Sequence, residues 1–494
     1  MYLETAASLC LVWLVWYVLT TYIERRRMPP GPFPWPVIGN LLHMEADPIN
    51  PFKKIVEKYG EIVSVSFPLR RCVLINNAKL AREARLTRKD DLAGKIRSTM
   101  YPGDVIFGER DVICSDFGPG HVFRKKILSV GLHVFGEGID KAEERVNHAI
   151  RNFVNEIEAL DGEAFSPKDL LSRSILCQIW EWVTSQKLSL LHPKVKLLVE
   201  FNDKISKLWA QFSSAQLIPG VSHLPTTFNR ELREVVQTRD GIFGPELKNH
   251  RETYVQGVTR DLTDGFLAAF EKEVAKEKGN EIGSVEDIQG LMLDIVYAGS
   301  DTTSSVLAWF ILYIVLHQDV QKRIQAELDE VVGKDRLPRR QDAQSLPYLQ
   351  ASICEVLRLS RILPVYGTNA IRDTVIGGYH IPKDTYVALH INNIHFDEQE
   401  WPEPHSFKPE RFLKEDGSFV GWTAKHGFIP FGLGRRDCPG QPLARIMLCL
   451  FASSLLHRFS IEVPEGEAKP EILPSDSKLV LSPKDFTIVA KRRI

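Results

Sequence analysis

The stretch Phe431-Gly-Leu-Gly-Arg-Arg-Asp-Cys-Pro-Gly440 sets Cys438 in a loop rich in glycine and arginine, just ahead of an apolar helical segment. A lone cysteine is usually a small buried apolar residue; this one escapes that reading through its neighbours. As a thiolate it can bind haem iron, with glycines letting the backbone approach the macrocycle and Arg436 available for a propionate. The pattern F-x-x-G-x-R-x-C-x-G fixes five residue types in ten places. At average amino-acid usage a chain of this length shows it by chance roughly one time in ten thousand.

The 494 residues are enough to bury a large cofactor. A net charge of −1 gives no field for nucleic acid or another polyanion. The seven cysteines are scattered, odd in number and without a C-x-x-C pair, which excludes a disulfide framework or zinc cluster and fits a reducing compartment.

Thr5–Ile23 is nineteen uncharged residues rich in Leu, Val and Trp, followed by Glu24 and Arg25-Arg26-Arg27. As a helix it would span about 28 Å, close to the thickness of a bilayer's hydrocarbon core. Arginines after the span keep the remainder cytosolic, and neither the leading positive charge nor the cleavage site of a signal peptide is present. Residues 1–27 are therefore expected to form a single-pass membrane anchor with a basic stop. The proline-dense residues 28–40 form a stiff extended hinge, and residues 41–494 one catalytic domain. Helical periodicity dominates that domain, as in Ala142–Leu160, Val195–Ala210 and Val320–Val332. Strand-like pieces are few: Ile62–Phe67, Val73–Ile75, and Thr374–Ile381 paired with Tyr386–Leu389 through Pro382-Lys-Asp384. The fold class is mainly α with a small β-sheet portion. Neither a Rossmann-type G-x-G-x-x-G nor a Walker A loop appears, so no nucleotide site is expected in this chain.

Three further motifs precede the cysteine loop: Pro29-Pro-Gly-Pro with Gly39-Asn40, Ala298-Gly-Ser-Asp-Thr-Thr303, and Glu355-x-x-Arg358 followed by Pro409-Glu-Arg-Phe412. With these in order, the chain resembles the cytochrome P450 superfamily of haem-thiolate monooxygenases, nearest in detail to animal microsomal members. The resemblance implies haem b (iron protoporphyrin IX) buried between a long oxygen-binding helix and the cysteine loop. Cys438 is then the metal ligand, with Phe431, Gly432, Gly440, Ala444, Ala298, Arg436, Lys125 and His121 about the cofactor. Thr302 and Asp301 are the implied alcohol–acid pair that delivers protons to oxygen. Glu355, Arg358 and Arg411 are the implied buried network holding the loop. Tyr297, Ala298 and Val365 are expected in the substrate pocket, within apolar segments near Tyr101–Ile106, Leu208–Leu217, Asp294–Thr302, Leu363–Thr368 and Ser475–Leu481.

Three positions depart from the family's pattern. His121-Val-Phe-Arg-Lys125 stands where W-x-x-x-R is usual. Thr368 replaces an arginine or histidine, with Arg372 out of register, so haem retention leans on Arg436 and Lys125. Tyr297 stands where close relatives often have glycine; at helical spacing from Asp294 and Asp301 it either points into the pocket and narrows it or packs against a neighbouring helix. The implied partners are NADPH–cytochrome reductase, cytochrome b5, molecular oxygen, a small apolar substrate (steroid, lipid or xenobiotic) and the endoplasmic reticulum membrane. Lys125, Lys126, Arg435 and Arg445 are a docking face for an acidic redox partner. Leu208–Pro219 is expected either to dip into the membrane surface near an entrance or to be buried in the core. Two rival readings remain: a haem-thiolate isomerase acting on a peroxide, whose relatives often lack the acid–alcohol pair intact here, and a non-catalytic haem protein binding a lipid or gas.

Overall fold

The computed structural model describes residues 2–45, 47, 50–68, 70–96, 100–137, 139–211, 224–276, 283–475 and 479–493. Parts of two expected pocket segments, residues 212–217 and 476–478, lie outside the described residues, as does most of the expected membrane-dipping segment. The longer helices are α1 (Tyr2–Arg25), α2 (Lys53–Tyr59), α3 (Pro119–Glu137), α4 (Ile139–Ala159), α5 (Pro167–Thr184), α6 (Pro193–Gln211), α7 (Thr227–Thr253), α8 (Leu262–Val274), α9 (Asp287–Leu316), α10 (Gln318–Val331), α11 (Pro347–Ser360) and α12 (Gln441–Arg458). Strands are β1 (Ile62–Phe67), β2 (Arg70–Ile75), β3 (Val365–Asn369), β4 (Thr374–Ile376), β5 (Tyr379–Ile381), β6 (Tyr386–His390), β7 (Phe459–Glu462) and β8 (Val489–Arg492).

Helix α9 has 30 residues and charges only at Asp287, Asp294 and Asp301. With no polar face to offer solvent, it is buried all round, packed among α5, α7, α11 and α12. Among the described residues it is the helix long and apolar enough to cross a membrane, and 78% of its apolar window is buried inside the protein. It is the core helix of the fold. Helix α1, by contrast, exposes Leu11, Trp13, Trp16, Leu19 and Ile23. Arg25 ties its end to the proline segment, donating to the carbonyls of Gly31 at 2.7 Å and Pro32 at 2.8 Å.

The three expected helices are α4, α6 and α10 within a few residues at each end. The expected pairing of Thr374–Ile381 with Tyr386–Leu389 does not form. Residues 374–381 fold on themselves as the β4–β5 hairpin, because Gly377 and Gly378 both take positive φ (56° and 82°) and make the turn. Strand β6 instead joins the main sheet, of order β1-β2-β6-β3, parallel to β2 and antiparallel to β3. One face of that sheet, with Val63, Val65, Leu74, Ala388 and Val365, packs on Phe52 and Ile55. The other, with Ile75, Val387, Leu389 and Tyr366, packs on Ala81, Ala84 and Leu433.

At the α7–α8 connection, His250, Asp261 and Asp264 gather their polar atoms within 4.8 Å. The acceptors are already committed: Asp261 caps α8 through Asp264 N and accepts from Ser185, while Arg260 grips Asp264. His250 faces the Glu246 carbonyl at 2.8 Å with Nδ1 and Asp261 at 3.0 Å with Nε2, so both ring nitrogens donate and the ring is an imidazolium. Burial opposes that charge, but Asp261 outweighs it and the pKa is raised. A raised folded pKa contributes stability that is complete below the unfolded value, about 6.5, and is lost as pH rises through the folded value. His250→Gln is expected to destabilise the protein by roughly 1.5–3 kcal/mol at low pH. The gap in urea midpoint between it and wild type should close as pH rises; a pH-independent gap would refute the ion pair.

Candidate active site

The cysteine loop is closed by a hydrogen bond from Cys438 N to the Phe431 carbonyl, 2.9 Å. The sulfur lies at the start of α12, where the backbone N–H groups of Gly440 and Gln441 point at it. Burial pushes the Cys438 thiol up; those two N–H groups pull it down, as they would stabilise a thiolate. Its accessible surface is that of a cavity of about 320 Å³, bounded across from the loop by α9. Ile113, Leu128, Ile179, Trp209, Leu363 and Val480 supply apolar lining. Larger recesses beside α1 and the proline segment are surface grooves remote from the cysteine.

One rim of the cavity carries Lys95, His121, Lys125 and Arg436. Arg436 donates to the carbonyls of Ala93, Val112 and Ser115 at 2.8, 3.1 and 2.9 Å, and its Nη1 lies 3.1 Å from His121 Nδ1. A guanidinium only donates, so His121 Nδ1 accepts and its proton sits on Nε2. Burial, then Arg436 and the other cations, pushes His121 down to about 3, so the ring is neutral. Nε2 is buried without a partner. It is an N–H donor on the cavity rim, the role an indole N–H would fill in the family's usual tryptophan. Lys125 is turned to the Arg435 carbonyl at 2.8 Å and Asp437 at 3.1 Å. Burial brings the Lys95 ammonium down to about 8. An orphaned N–H donor and a ring of cations fit a dicarboxylate macrocycle seated on Cys438.

Helix α9 sets its three acids seven residues apart, hence on one stripe. Asp287 lies 3.7 Å from Arg124. Asp294 accepts from Val112 N at 2.7 Å, and its other oxygen has no partner. Burial, then neighbouring Asp111, holds its pKa well up. Asp301 receives a hydrogen bond from Ser206 of α6 at 3.2 Å, and Ser206 is 3.0 Å from the Tyr297 hydroxyl. The Tyr297 ring stands edge-on to Phe107, centroids 5.8 Å apart, and lines the cavity. Thr302 donates to the Ala298 carbonyl at 2.6 Å and Ser304 to that of Ser300 at 2.8 Å, the local back-bonding expected of hydroxyls in an apolar helix.

Behind the loop, Glu355 and Arg358 of α11 are both fully buried. Arg358 forks onto Glu355 through Nε and Nη2, both at 2.7 Å, and Arg411 reaches the same carboxylate at 3.2 Å. His395 carries this network to the loop. It faces the Arg358 carbonyl with Nδ1 at 3.2 Å and accepts from Ile429 N at Nε2, also 3.2 Å. Burial and Arg358 push it down to about 3, which keeps Nε2 free to accept.

Thus Cys438, Arg436, Lys125, His121, Gly440, Ala444, Tyr297, Ala298, Asp301 and Thr302 converge on one cavity. Phe431 and Gly432 belong to the loop but are not among the lining residues, Phe431 lying 5.8 Å under the Arg445 guanidinium. Val365 is a correction: the two-residue pleat turns it to the α2 side of the sheet, while Tyr366 and Thr368 take the opposite face. Three of the four expected docking cations are already paired, Lys125 with Asp437, Lys126 with Glu273 and Arg435 with Asp90. Lys95, Asn202, Ser206 and His395 were not singled out from sequence. Asn202 and Ser206, four apart on the buried face of α6, carried a readable signal; Lys95 and His395 carried none.

A cysteine sulfur backed by N–H donors, facing a hydroxyl-bearing helix across a cation-rimmed cavity, defines a haem-thiolate protein. The chain belongs to the cytochrome P450 family, whose profile matches residues 29–490, and is a monooxygenase of that family, which binds haem b through a cysteine thiolate. It is similar to a steroid 17-alpha-hydroxylase/17,20 lyase of Ictalurus punctatus, 31% identical over 493 residues, covering 99% of this chain and 95% of that one. It is similar also to cytochrome P450 2D1 of Rattus norvegicus, 32% identical over 486 residues, covering 94% and 93%. A solved zebra fish cytochrome P450 with progesterone superposes with a TM-score of 0.81 at 29% identity, covering 91% of this chain and all of that one.

Glu355→Gln leaves two guanidinium groups against an uncharged amide in a dry site. It is expected to cost about 3–5 kcal/mol and to lower the yield of haem-loaded protein, read by urea unfolding and by haem absorbance per chain. Wild-type stability in that variant would refute the network.

Proposed function

We propose that the protein is a membrane-anchored monooxygenase that hydroxylates an apolar substrate of the steroid class, with electrons from NADPH through a separate reductase. The observation that carries the chemistry is Cys438: a sulfur at the cavity floor with N–H groups of Gly440 and Gln441 aimed at it. The apolar lining supports an apolar substrate, and the relatives' names narrow the class. The exposed leucines and tryptophans of α1, followed by Arg25-Arg26-Arg27, support an anchor in the endoplasmic reticulum membrane with the remainder cytosolic. The lack of a nucleotide-binding motif supports an external reductase; cytochrome b5 is a second electron donor of suitable kind.

When bound, haem supplies the reductive activation of oxygen and the oxidation of the substrate's C–H bond. The chain's own part is to hold and move protons and to shape the space. Thr302, its hydroxyl anchored on the Ala298 carbonyl at the cavity wall, holds a proton beside the groove. Asp301 is its supply, tethered to α6 by Ser206, so proton delivery and the position of α6 are linked. Tyr297, fixed by Ser206 and Phe107, narrows the cavity and sets the approach of the substrate. His121, Lys95, Lys125 and Arg436 would hold the cofactor's carboxylates.

The carbon monoxide difference spectrum of the reduced protein is expected to show the strongly red-shifted Soret band of thiolate ligation, and Cys438→Ser to abolish it; persistence of the band in that variant would refute the assignment. Thr302→Ala is expected to cut product formed per NADPH consumed by about 10²-fold, with reductant use continuing. Unchanged coupling would remove Thr302 from proton delivery.

A further inference from the structure

Arg85, in the short helical segment Glu83–Thr87, has its side chain driven into the protein rather than out to water; the residue is 3% exposed. Its Nη1 donates to the Leu92 carbonyl at 3.2 Å and to the Thr368 hydroxyl, and Nη2 donates to the Val387 carbonyl at 2.8 Å. Thr368 spends its own proton on Leu92 at 2.8 Å, so its oxygen is free to accept. Three bonds use three of the five N–H groups. Nε is buried with no partner, and one N–H of Nη2 is left. These are the two nitrogens through which Arg358 forks onto Glu355.

A guanidinium cannot shed its proton, and a buried, unpaired one is costly. Among the described residues no carboxylate pairs with Arg85, and burial works against its charge. Arg85 is not itself among the residues that line the cavity, but it sits directly behind its cationic rim. Arg85 and Arg436 donate to successive carbonyls, Leu92 and Ala93, so they flank one strip of backbone. The Arg85 carbonyl abuts Gly434 of the cysteine loop, where φ is +79° and a Cβ has no room. Asp90 and Asp91, next along the same strip, are taken by Arg435 and by Arg372 with Thr374. Of the nearby acids, Asp437 is taken by Lys125, and Asp116 caps the N–H groups of Lys95 and Phe117.

We propose that Arg85 is a cofactor-binding residue, its free Nε and Nη2 edge taking one haem propionate, with the Thr368 hydroxyl aiming the guanidinium. This rests on the haem-thiolate reading of Cys438. The positive charge absent at residue 368 is supplied across the sheet from residue 85.

The test uses the full-length ferric holoprotein and the rate of haem transfer to excess apomyoglobin. Arg85→Leu is expected to release haem about 10- to 100-fold faster, the worth of one charge-assisted bidentate contact. Arg85→Leu/Thr368→Arg, which returns the cation from the facing strand, is expected to restore slow release. If Arg85→Leu yields no folded protein, Arg85→Gln carries the same comparison, with Thr368→Arg as its rescue. Wild-type release in the single variant, or a double variant as leaky as the single, overturns the proposal. A wild-type protein with no thiolate band overturns the haem reading beneath it, an outcome separable from both.

Discussion

A sulfur that must carry negative charge inside a protein is the constraint on which this structure turns. Burial alone favours the neutral thiol, and the loop answers with the N–H groups of Gly440 and Gln441 at the head of an 18-residue helix. Those donors work only if they stay fixed, and the fixing comes from behind. Glu355 and Arg358, both fully buried, tie α11 to the segment around Arg411. His395 carries that rigidity to Ile429, two residues before the loop begins. Two fully buried charges are thus placed where their geometry positions the one charge the sulfur must carry.

The same economy governs α9. A helix buried on every side can keep few ionised groups, and its acids, one every seven residues, are each held by a different element. Asp287 meets Arg124, Asp294 caps the loop at Val112, and Asp301 reaches α6 through Ser206. A shift of α6 therefore changes the surroundings of Asp301 and of Tyr297 together, because Ser206 touches both. Under the roles proposed for Tyr297 and Asp301, access to the cavity and supply of protons share one hydroxyl.

Much of this was legible in the chain because ligands and helix faces are local patterns. The ten-residue loop, the Ala298–Thr303 cluster and the Glu355-x-x-Arg358 spacing each announce themselves over a few residues, and helices α4, α6 and α10 follow from periodicity. What failed was pairing and facing. Gly377-Gly378 closes a tighter turn than Pro382-Lys-Asp384, so β6 was free to join the main sheet. Once β6 lies against β3, the pleat decides that Val365 faces away from the site and Thr368 toward Arg85. Lys95, His395 and Arg85 bear no motif; their roles come from contacts with residues far away in sequence.

Two of the three departures from the family's pattern gain a common explanation from those contacts. A rim that binds a dicarboxylate must present enough donors and positive charge, but nothing requires them to come from fixed positions. With histidine in place of tryptophan at residue 121, Arg436 fixes the tautomer so that an N–H is still presented. With threonine at residue 368, a guanidinium arrives from Glu83–Thr87 and uses that threonine as a brace. The two substitutions share one feature: each brings in an acceptor that an arginine occupies, Arg436 at His121 and Arg85 at Thr368. What a dicarboxylate requires of such a rim is the sum of charge and donors at the cavity edge, so under the proposed role of Arg85 a motif residue can be absent while the contact it makes is supplied from another position.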